Sequence, residues 1–159
     1  MIAGEVEKGL EIVRAARQRY DGRIRNPFNE IECGHWYARA MSSYGMIQGI
    51  TGLKYDAVDM KMNIDSRVGD DFTSFICTQS GWGNLRSEDN VIALKIEHGY
   101  LDLQELQFTR EGHFSAIGKM TLGPDEVPYN LDQEEDMSRV RFDKLLKLDA
   151  GDELVISLK

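Results

Sequence analysis

Between residues 25 and 44 the chain gathers the groups best able to do polar chemistry: Glu30, Glu32 and Arg39, with Asn26, Asn29, His35, Trp36 and Tyr37 among them. A carboxylate accepts hydrogen bonds, a guanidinium donates them, and charge strengthens both, so the set is suited to binding paired hydroxyls. If a helix begins near residue 32, Glu32 sits at its positive end and Arg39 lies about two turns on, near one face with Glu32 and His35. Glu30 reaches back from the preceding loop. That is sugar-recognition chemistry. The competing reading is a structural salt bridge that fixes the loop-to-helix junction, and residue chemistry alone favours it.

Two helices must position these groups. Val6, Leu10, Val13 and Ala16 recur at three- and four-residue spacing, which predicts an amphipathic helix over about residues 4–20, ended by Asp21-Gly22. The polar stretch to Pro27 reads as a loop. A second helix is expected over about 32–49, rich in Gly, Ala and Ser, whose low intrinsic helicity calls for close packing by neighbours. After Thr51-Gly52 the period changes to two: Val58, Met60, Met62 and Ile64, then Ile92-Leu94-Ile96, Leu101-Leu103 and Leu154-Ile156-Leu158. Turn residues at Gly69-Asp70, Ser80-Gly81, Glu88-Asp89-Asn90, Glu111-Gly112, Gly123-Pro124 and Ala150-Gly151-Asp152 separate about eight or nine strands. The expected class is α+β, with a helical segment over 1–52 and an antiparallel β-sandwich or jelly-roll-like domain over 53–159.

The 159 residues carry 19 Lys and Arg against 27 Asp and Glu, a net charge of −8, which argues against nucleic acid as a partner. The two cysteines, Cys33 and Cys77, lie in no short-spaced metal or redox pattern, and His35, His98 and His113 lack ligand spacing. No cofactor or metal is expected. Neither a secretory pattern nor an apolar run of about 20 residues occurs, so the expected location is cytoplasmic, with no transmembrane segment. The acidic run 132–136 reads as a solvated loop.

The run Asn26-Pro27-Phe28-Asn29-Glu30-Ile31-Glu32-Cys33-Gly34, followed by Tyr37-Ala38-Arg39-Ala40-Met41-Ser42-Ser43-Tyr44, resembles a signature near the end of the catalytic region in glycoside hydrolase family 116. That family includes non-lysosomal glucosylceramidases and bacterial β-glucosidases. Val6-Glu7-Lys8-Gly9-Leu10 through Arg19-Tyr20-Asp21-Gly22 resembles the preceding helix, and Ser80-Gly81-Trp82-Gly83 a turn in the tail. The resemblance covers about residues 4–108 and weakens beyond. It implies that residues up to about 50 are the last helices of an (α/α)6 barrel with a β appendage. It also implies that Glu30 and Arg39, with Glu32 in the same network, contact the hydroxyls of a glucosyl unit. Relatives commonly carry His or Asn before Tyr-Ala-Arg where this chain has Trp36, a change read as an altered pocket rim or a partner contact.

A retaining glycosidase needs two carboxylates about 5–5.5 Å apart across the scissile bond. By the resemblance both lie upstream, so no catalytic residue is assigned here. Two helices cannot close a toroid, and their apolar faces need a cover: a catalytic chain, a second copy or the β domain. Three functions follow as expectations. The chain is the C-terminal portion or subunit of a β-glucosidase or glucosylceramidase-like hydrolase; or a non-catalytic carbohydrate-binding protein using Trp36 and Trp82; or a structural β-sandwich that holds an assembly. Gly81-Trp82-Gly83 is read as a packed turn.

Overall fold

The computed structural model describes residues 1–19, 22–23, 39–69, 71–109, 117–134 and 137–159, with the backbone alone for 39–43. The chain divides into two compact units, Met1–Ile50 and Thr51–Lys159.

In the first unit α1 spans Val6–Gln18 and α2 spans Arg39–Thr51. The stripe of Val6, Leu10 and Val13 gives α1 its apolar side, yet none of its residues is buried. Met1 is held against both helices where side chains are missing. A Cβ on Gly9 would fall 2.5 Å from Met1 Cγ, and one on Gly49 would fall 2.8 Å from Met1 Cβ. Small residues in α2 therefore do admit close neighbours, as at Gly49, although a Cβ on Gly45 would meet open space. The expected start of α2 near residue 32 lies outside the described residues. No helix among them is long and apolar enough to cross a membrane.

Among its described residues the second unit has ten strands: β1 Lys54–Asp56, β2 Lys61–Ile64, β3 Phe72–Cys77, β4 Gly81–Glu88, β5 Val91–Thr109, β6 Ile117–Leu122, β7 Asp125–Glu126, β8 Asn130–Gln133, β9 Met137–Asp149 and β10 Glu153–Leu158. The protein is thus α+β, with a large sandwich-like β domain. Its organising element is β5, 19 residues long. The first half of β5 pairs with β4 and β10, and the second half with β9 and β2, so one strand runs through both sheets. The change of sheet falls at Gly99, whose φ of +72° suits glycine and whose absent Cβ would meet Ser80 O at 2.0 Å. Sequence alternation over 92–96 and 101–103 marks two halves of this one strand.

Both sheets turn one face toward a single core. Ile92, Leu94 and Ile96 enter it from one half of β5, and Leu101, Leu103, Leu106 and Phe108 from the other. Met62, Leu85, Met120, Leu148, Leu154 and Ile156 complete its centre, each at or below 1% exposure. At roughly 1.5–3 kcal/mol for each fully buried large side chain, this core is the chief source of the domain's stability.

Two expectations need correction. The sheet is not purely antiparallel: β2 runs parallel to β5, from Lys61↔Glu105 to Ile64↔Phe108. The β3–β4 hairpin and the first half of β5 lie between them in sequence and supply the long crossover that a parallel pair requires. Nor does the alternation begin at Val58. The Asp56 carboxylate accepts hydrogen bonds from the Val58 and Asp59 N–H groups at 2.9 and 3.1 Å, closing a turn that leaves Val58 exposed. Other turns fall where their residues direct. Asp89 and Asn90, with φ of 50° and 62°, make the two-residue connection between β4 and β5.

Candidate functional site

Of the residues expected to contact a glucosyl group, Glu30 and Glu32 lie outside the described residues, as do Cys33, His35 and Trp36. Arg39 is the first residue of α2, and its side chain is likewise outside the description.

The β domain presents two groupings of chemically active side chains that sequence reasoning did not assemble. The first surrounds Glu105, on the face of β5 opposite the core. Its carboxylate is only 8% exposed and is saturated on both oxygens. Oε1 accepts from Gln107 Nε2 at 2.5 Å and lies 3.3 Å from Arg139 Nε, while Oε2 accepts from Arg141 Nε at 3.1 Å. Arg139 reaches on to Glu134 at 3.3 Å and Asp132 at 3.6 Å, tying β8 into the same network. Burial pushes the Glu105 carboxyl up, but hydrogen bonds from Gln107 and Arg141 and the charges of Arg139 and Arg141 outweigh it and hold the group below its ordinary value. A carboxylate so fully engaged is a cross-strand brace, not a proton-transfer group. Nearby, Thr109 Oγ1 donates to Asp65, which also pairs with Arg67 at 2.7 Å.

A related cluster lies at the β1–β5 contact. The Tyr55 hydroxyl donates to the Asp102 carbonyl at 2.7 Å, and burial, followed by the charges of Asp102 and Asp56, raises the phenol's pKa. Asp102 Oδ1 and Ser138 Oγ are buried with no hydrogen-bond partner among the described residues. Within those residues no three of His, Cys, Asp and Glu come together as a metal site.

The second grouping is on the outer face of β3, β4 and β5. Trp82 is 51% exposed and lies on the ring of His98, with centroids 6.2 Å apart and planes 23° from parallel. Gly81-Trp82-Gly83 is therefore the start of a strand and not the packed turn read from sequence. The glycines have a different purpose. A Cβ on Gly83 would stand 1.9 Å from Lys95 O, and one on Gly81 2.5 Å from His98 O, so both permit close approach of β5. The ladder shifts register between Trp82 and Gly83, and this bulge brings Trp82 opposite His98. Glycine on each side of an aromatic was the signal in the sequence; it marks a bulge as readily as a turn. Cys77 pairs with Trp82 on the other side and is exposed, and Asn84 shares the outward face. Two residues beyond His98, Tyr100 has Lys147 Nζ 5.0 Å from its ring centre.

No protein-family model matches the chain, and a search of curated proteins finds no significant match.

Proposed function

We propose that this chain is the C-terminal portion or a subunit of a β-glucosidase or glucosylceramidase-like glycoside hydrolase. It supplies contacts to a glucosyl unit and not the pair of carboxylates that cleaves the bond. The observation that carries this reading is the residue run 26–44, where Glu30, Glu32 and Arg39 fall within the family 116-like signature. In this account Glu30 accepts from a pair of sugar hydroxyls and Arg39 donates to a neighbouring one, with Glu32 orienting the guanidinium.

The exposure of α1 supports the idea of an incomplete barrel. Among the described residues the apolar stripe of Val6, Leu10 and Val13 is only half-buried, and in this proposal a partner completes its cover. In this proposal the cover is the chain bearing the remaining barrel helices and the catalytic pair. The test is reconstitution. Mixing the protein with a chain that carries the rest of such a barrel should restore hydrolysis of 4-nitrophenyl β-glucoside. A folded, stoichiometric complex without activity would overturn the reading.

A further inference from the structure

We draw no further inference here: the strongest candidate, the uncharged strand β3 at the rim of its sheet, paired among the described residues with β4 alone, carries nothing because the structure does not show what covers its other edge.

Discussion

Glu105 and Arg141 face each other across the β5–β9 ladder, with Arg141 Nε donating to Glu105 Oε2 at 3.1 Å. The pair borders a register shift between Leu103 and Glu105, where the N–H groups of Gln104 and Glu105 both point to the Met60 carbonyl. This ion pair and its neighbours therefore brace the irregular place where β2, β5 and β9 meet.

Replacing Glu105 with Ala should destabilise the β domain by about 2–4 kcal/mol, because Arg139, 20% exposed, loses its most buried counter-charge. The Gln variant should cost less, since it keeps the side chain's volume and its amide oxygen still accepts from one of these donors. Urea unfolding followed by far-UV circular dichroism measures both.

The same carboxylate makes stability depend on pH. Its pKa is lower folded than unfolded, so its contribution is complete above the unfolded value and disappears as pH falls through the folded one. Wild type should lose its advantage over Glu105→Gln progressively below about pH 5, where free glutamate begins to protonate. Unfolding midpoints of the two proteins between pH 7 and pH 3 should converge; a constant difference would refute the assignment.

Gly83→Ala should be severe for a conservative change. The new methyl group would sit 1.9 Å from the Lys95 carbonyl oxygen, a backbone atom that cannot rotate away. Separation of β4 from β5 at the bulge should cost about 2–3 kcal/mol, read from the urea midpoint. The Trp82 ring should also lose its contact with His98, read as a change in tryptophan emission.

Leu10→Asp should weaken assembly with the proposed catalytic chain by at least about tenfold, since it places a charge in the middle of the unburied stripe of α1. Light scattering at a series of concentrations measures the association. An unchanged dissociation constant would show that α1 is not the covered surface.

How far these features could be read from sequence depends on whether their causes are local. The alternations of Ile92-Leu94-Ile96 and Leu154-Ile156-Leu158 mark strands because each has one face in the core, and Asp89-Asn90 marks its turn by tolerating positive φ. The apolar spacing at Val58 is no strand signal, because it runs through a turn that the Asp56 carboxylate closes by accepting from both the Val58 and Asp59 N–H groups. The parallel β2–β5 pairing and the Glu105 brace escaped notice for a different reason. Their partners are remote, with Arg141 standing 36 residues from Glu105, and no local pattern announces such a match. Trp82 was visible as a residue type, but its exposure depends on a bulge that the flanking glycines permit without specifying. Glu30 and Glu32 fall outside the described residues, so the glucosyl contacts rest on the sequence signature.

The most direct test of the central claim is kcat/KM for 4-nitrophenyl β-glucoside in the reconstituted complex, compared between wild type and Glu30→Gln. If the acid at position 30 holds sugar hydroxyls, the variant should fall by about 10- to 100-fold, the worth of a charged hydrogen bond, while assembling normally. Equal kcat/KM in the two complexes would contradict the account.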